Sequence, residues 1–293
     1  AGIVSAPKTD KAYGAKFVIK GIIKSTYGFT VNGSIKQTTG NIPKVIVSET
    51  GKIEGPEGAA IYAAGYAEYI VEGKLEGKYF AIEIRAGKLT IADGATLVST
   101  GDFSDPVPNG NGSTVTGATV AVSQHTTNLP IEVVINGGTV SSTGTNGYAL
   151  YEIDTVKDEA KENIAKGVNV EVNNGNFSGK IHSTNNKLKI TGGTFSTSPK
   201  SPTNYVVAGN NVYKLPNGTY VVAANRPSGY IWTAGTSDDD YDFIGTAIPY
   251  TPSTPTTDNV TNNTTDKNTT ADLTPAVKDN KAETTVDAKT ADK

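Results

Sequence analysis

Between residues 12 and 222 the chain is written in short runs of alternating apolar and polar residues, each stopping at glycine or asparagine. "YIVEGKLEG" (69–77), "LTIADGATLVSTG" (89–101), "VVINGGTVSST" (133–143), "VEVNNGNFSG" (170–179) and "LKITGGTFSTSP" (188–199) are variants of one phrase. A period of two puts one residue set on the inner face of a strand and the next outside. The predicted inner set is Ile61, Ile70, Ile82, Ile84, Leu89, Ile91, Val133, Ile135, Leu188 and Ile190. Gly137, Gly138, Gly192 and Gly193 fall at sharp corners between strands, where positive φ is needed.

Aligned on one β-branched residue, the phrase recurs at Val31, Val47, Val71, Ile91, Ile135, Val172 and Ile190. The spacing centres on about 20 residues, a solenoid period. "GATVAVS" at 117–123 is expected to fill the double gap before Ile135, and "AAIYAAG", "FAIEIRAG" and "GYALYEI" add a further strand to their units. No strand is long enough to bury a core alone, so equivalent strands must stack, each unit rising by about 4.8 Å. The prediction is an all-β chain, a right-handed parallel β-helix, over residues 1–222.

Two segments depart from the repeat. "DTVKDEAKENIAKG" at 154–167 reads as a short inserted helix, with Val156, Ala160 and Ile164 on one face and Gly167 after its end. "VYKLPNGTYVV" at 212–222 reads as a hairpin turning at Pro216, Asn217 and Gly218, suited to cap the open end of a solenoid. An extension with an acidic loop follows at 223–249. Residues 250–293 are Thr- and Pro-rich with almost no apolar content, which predicts a flexible tail.

The phrases "IxGGTF" and "IxxGatL", with "GAAIYAAG" and "IEIRAGKLTI" between them, resemble the parallel β-helix repeats of large secreted and cell-surface proteins of Gram-positive anaerobes. "ITGGTFSTSP...YVVAGNNVYKLPNGTYVV" at 190–222 is similar to the closing segment of such regions. The resemblance spans residues 12 to 222. It implies the right-handed coil and an extracellular setting. The related β-helix fold hosts both adhesins and polysaccharide lyases.

Composition narrows the function. The net charge is -3 with scattered lysines, which argues against nucleic acid as a partner. No cysteine is present, which removes thiolate nucleophiles and cysteine metal sites. No methionine is present either; the start "AGIVSAP" is expected to follow a signal-peptidase cut, so the protein is read as secreted or surface-exposed. No apolar run is long enough to insert into a membrane.

Candidate chemistry is sparse. His125 and His182 read as residues of solvated turns, and Ser123 near His125 lacks a nucleophile-elbow phrase. The outward acids are Glu68, Glu72, Glu76, Glu83, Asp93 and Glu132, without the paired aspartates of β-helix hydrolases. Glu83 and Arg85, on one strand face, read as a surface ion pair. Asp238, Asp240 and Asp242 alternate in "SDDDYDF" and form the candidate calcium site; no other cofactor is implied. Tyr62, Tyr66 and Tyr79 are the candidate ligand-binding residues, because tyrosines on a flat sheet face can stack on sugar rings. The expected protein is a structural or adhesive module whose partners are glycans or a host or cell surface. The alternatives are a polysaccharide lyase or hydrolase on the same fold, and a homo-oligomeric extracellular or phage fibre.

Overall fold

The structure is a computed structural model that describes residues 2–5, 14–31, 38–109, 112–157, 162–164, 167–184 and 187–249. The Thr/Pro-rich segment 250–293 lies outside the described residues.

Successive strands join three sheets in rotation. The first holds Ile3–Ser5, Tyr27–Val31, Ala59–Ala63, Phe80–Ile84, Ala118–Ser123, Tyr148–Ile153 and Lys180–His182. The second holds Lys16–Ile19, Lys44–Val47, Ala67–Val71, Gly87–Ile91, Ile131–Ile135, Val168–Val172 and Leu188–Ile190. The third begins with Ile22–Lys24, Lys52–Gly55, Lys74–Gly77, Thr96–Ser99, Thr139–Ser142, Asn176–Ser178 and Gly193–Phe195. Pairing between these strands is parallel throughout, giving an all-β, solenoid-like coil without a helix among the described residues.

The expected column exists in the second sheet. Val47, Val71, Ile91, Ile135, Val172 and Ile190 are in register on neighbouring strands, and all are buried. Two anchors are corrected. Val31 belongs to the first sheet beside Ala63, and Ile19 takes its place next to Val47. Ile91 is the direct neighbour of Ile135, with no coil between them. "GATVAVS" supplies a first-sheet strand, and the extra length is taken by an antiparallel hairpin of Ser104–Asn109 and Gly112–Thr116. Period two identifies a strand but not which of three sheets it joins.

The inner set is otherwise buried as expected, apart from Ile70. Tyr69 takes the inward position there, fully buried, with its hydroxyl donating to the Gly65 carbonyl at 3.0 Å, and Ile70 is half-buried on the outer face. At the corners the second glycine of each pair has the positive φ: 81° at Gly138 and 114° at Gly193. The first is needed for close approach; a Cβ on Gly192 would lie 2.4 Å from the Asn173 carbonyl oxygen.

The inserted helix is not formed in the described part of 154–167. Thr155–Lys157 and Glu162–Ile164 pair antiparallel instead, while 158–161 and 165–166 lie outside the described residues. β-Branched Thr155, Val156 and Ile164 suit extended backbone, which outweighs the helical spacing. The C-terminal hairpin is present: Asn211–Lys214 pairs with Tyr220–Ala223, which adds antiparallel to Gly193–Phe195. Val212, Tyr220 and Val222 join the core that runs through the coil. Tyr230–Ala234 and Phe243–Ala247 extend the same sheet beyond Asn211–Lys214.

Candidate binding site

The first sheet carries two residues inward in succession. Ala60 and Ile61, Ala81 and Ile82, and Ala149 and Leu150 all belong to the main core. This shifts the alternation, so Ala59, Phe80 and Ala118 face outward on one column. Thr30, Tyr62, Glu83, Ala121, Tyr151 and His182 form the next outward column, in register. A second apolar cluster therefore grows on the outside of the coil, with Val115 of the hairpin buried in it. Here the hairpin is a roof, so outward does not mean solvated.

Glu83 and Arg85 lie under this roof, both with no exposed surface. This corrects their reading as a surface ion pair. Arg85 Nη1 donates to the Tyr62 hydroxyl at 2.8 Å, Nη2 to the Ser113 carbonyl at 2.8 Å and Nε to the Ser123 carbonyl at 3.2 Å. The guanidinium is thus held between two strands and the hairpin by neutral oxygens. Glu83 Oε1 accepts the Val115 amide at 3.2 Å, while Oε2 is buried without a hydrogen-bond partner. Burial pushes the Glu83 carboxyl up to about 7, against the pull of Arg85 and the Val115 amide.

Glu83 lines a cavity of about 310 Å³ together with Tyr27, Thr30, Tyr62, Phe80 and Thr114. That volume is at the small end of ligand pockets. The rings surround it at angles: Tyr27 and Tyr62 are 6.4 Å apart and inclined at 72°, Tyr62 and Phe80 6.4 Å apart and inclined at 37°. Burial raises the Tyr27 hydroxyl, with further contributions from Tyr79, Glu83 and Tyr62.

The predicted tyrosines divide. Tyr62 is in the cavity wall and bonded to Arg85. Tyr79 is 37% exposed at the start of the Phe80–Ile84 strand, electrostatically coupled to Tyr27. Tyr66 is buried and lines a different pocket with Lys88, Pro130 and Glu132, so the three do not share one face. Tyr27 and Phe80 were not picked out from the sequence, because strict alternation groups Phe80 with Ile82 in the core.

Both histidines depart from solvated turns. His125 is buried, its Nδ1 accepts the Thr127 amide at 3.0 Å, and burial with the Arg85 charge lowers it to about 4. His182 is stacked on Tyr151 at 4.8 Å and lowered by burial. Ser123 Oγ donates to the Ser113 carbonyl at 2.8 Å.

The aspartates of the C-terminal loop have separate partners. Asp240 accepts from the Tyr220 hydroxyl at 2.8 Å. Asp242 accepts the Val212 amide at 2.8 Å with one oxygen and pairs with Lys200 through the other. Asp238 is exposed and meets Ser237. Among the described residues no group of three or more His, Cys, Asp or Glu is placed to hold a metal ion. A further acidic pair, Glu152 and Asp154, is buried beside Lys187, with Glu152 Oε2 accepting from Ser183 at 2.7 Å and the Thr184 amide at 2.8 Å.

Comparison with known protein families, with curated proteins and with solved structures finds no match for this chain.

Proposed function

We propose that the chain is a secreted or cell-surface module, a right-handed parallel β-helix that binds glycans on the outer face of its first sheet. The observation that carries the reading is the aromatic-walled cavity around Glu83, with one buried carboxylate oxygen left without a partner. A buried acceptor of this kind is costly unless a donor completes it, and a carbohydrate hydroxyl is such a donor. The right-handed sense is favoured because parallel crossovers within one sheet almost always take it.

The cavity favours binding over catalysis. Glycoside hydrolysis needs two convergent carboxyl groups, and Glu83 is the only acid among the described residues lining this cavity. One observation favours the enzymatic alternative: a carboxyl raised to about 7 in a cleft is what a general acid requires. The test is a glycan array probed with the full chain, alongside polysaccharide digests. Retention on glycans, lost in a Tyr27→Ala variant that melts normally, supports the binding module. Release of reducing ends or unsaturated products, abolished in Glu83→Gln, replaces it with the enzyme.

A further inference from the structure

We propose that the cavity around Glu83 takes an aliphatic ammonium group, which in a glycan means an amino sugar carrying a free amine. This deepens the glycan-binding reading and rests on it for the sugar, but not for the cation.

Three observations converge on a positive charge. The unpartnered Oε2 of Glu83 lies on a side chain with no exposed surface that lines the cavity. An ammonium N–H would supply both the missing hydrogen bond and the counter-charge, whereas a hydroxyl supplies only the bond. Second, Tyr27, Tyr62 and Phe80 stand around the same space, and aromatic faces attract cations through their quadrupoles. Third, the rings are inclined to one another, so they make a concave box and not the flat platform on which a sugar ring stacks. A compact cation fits a box of that volume.

The charged and titratable groups around Glu83 define the opposing effects. Arg85 and Tyr79 flank the strand that carries Glu83, Tyr62 comes from the neighbouring strand and Tyr27 from the strand beyond it, while the hairpin contributes the Val115 amide. Arg85 repels an incoming cation, but its guanidinium is already bonded to Tyr62, Ser113 and Ser123 and is not among the residues lining the cavity. Glu83 must be ionised to hold an ammonium, and its carboxyl is raised to about 7. Binding of a cation that stays protonated is therefore expected to strengthen as pH rises through 7 and to release protons from the protein.

The experiment is titration calorimetry of the full chain with methylammonium, methyl glucosaminide, methyl N-acetylglucosaminide and methyl glucoside, at about pH 6 and pH 8, in buffers of different ionisation enthalpy. The expected result is binding of both cations, roughly tenfold tighter than either neutral sugar; for methylammonium, which stays protonated at both pH values, binding is stronger at the higher pH and accompanied by proton release. Glu83→Gln, close in shape and still able to accept the Val115 amide, should remove the preference and the proton release; Tyr27→Leu should weaken both cations without removing the pH dependence. Equal binding of the neutral sugars overturns the ammonium assignment while leaving the glycan-binding reading intact. No binding of either cation also overturns it, and the glycan array then decides the broader reading separately.

Discussion

Arg85, the residue after the Phe80–Ile84 strand, is joined to Tyr62 on the adjacent strand of the first sheet by a hydrogen bond of 2.8 Å between guanidinium and phenol. The same guanidinium holds the hairpin through the Ser113 carbonyl. A buried charge is thereby fixed by neutral oxygens, and each loses one hydrogen bond if the arginine goes. Arg85→Ala is expected to cost about 3 kcal/mol and to expose the 104–116 hairpin to limited proteolysis. Arg85→Lys should not restore protection, because a single ammonium cannot span the same fork of acceptors. Tyr62→Phe removes one acceptor and should cost about 1 kcal/mol. Chemical denaturation of the three variants checks the order.

Glu83 gives the fold a pH dependence of unusual sign. Its folded value of about 7 is above its ordinary 4.5, so folding favours the protonated form. The stability it contributes is full below 4.5 and is lost as pH rises through 7. Glu83→Gln should match the wild type near pH 4 and exceed it by on the order of 2–3 kcal/mol near pH 8. His125 acts in the other direction: lowered to about 4 from 6.5, it withdraws stability as pH falls through that window. Urea melts of the wild type and Glu83→Gln across this range separate the two; a stability difference between them that fails to grow between pH 5 and 8 would refute the Glu83 assignment.

The second-sheet column was legible because β-branched residues ahead of a glycine corner mark one position of each coil, as at Ile135 before Gly137 and Gly138. The first sheet was less so. Two inward residues in succession at Ala81 and Ile82 change the phase, which puts Phe80 outside and hides the apolar wall it builds. Glu83 stands in the outward column with Tyr62, yet a charged letter on an alternating strand says nothing about a roof. That roof, "SDPVPNGNGSTVT" at 104–116, is polar and proline-containing, and Val115 is its one large apolar residue buried against the sheet. The antiparallel pairing of Thr155–Lys157 with Glu162–Ile164 is hidden in the sequence for a different reason. Val156, Ala160 and Ile164 satisfy helical spacing, while β-branched residues at both ends satisfy a strand pair equally well.

Ile135 tests the stacked column. It is fully buried on the second sheet, in register with Ile91 on one side and Val172 on the other. Ile135→Ala should cost about 3–4 kcal/mol, since neighbouring coils tied by parallel pairing cannot close the void. Ile135→Asp should prevent folding at ordinary temperature, because an unpaired charge would sit inside the apolar column. Thermal melts of the alanine variant and solubility of the aspartate variant provide the check. Unchanged melting in either would place this side chain outside the core.

Asp242 separates a structural role from calcium binding in the acidic loop. Its carboxylate accepts the Val212 amide at the start of the C-terminal hairpin and pairs with Lys200. Both partners are needed to hold the loop against the last coil, and a calcium ion would have to displace them. Asp242→Asn keeps an acceptor for the amide but loses the charge, so it should cost about 1 kcal/mol. Asp242→Ala should cost about 2 kcal/mol, because it leaves the Val212 amide without its partner. Millimolar calcium should shift the melting temperature of neither variant nor of the wild type. A calcium-dependent rise in the wild type that vanishes in Asp238→Asn, a residue with no cation partner among the described residues, would instead identify the loop as a metal site.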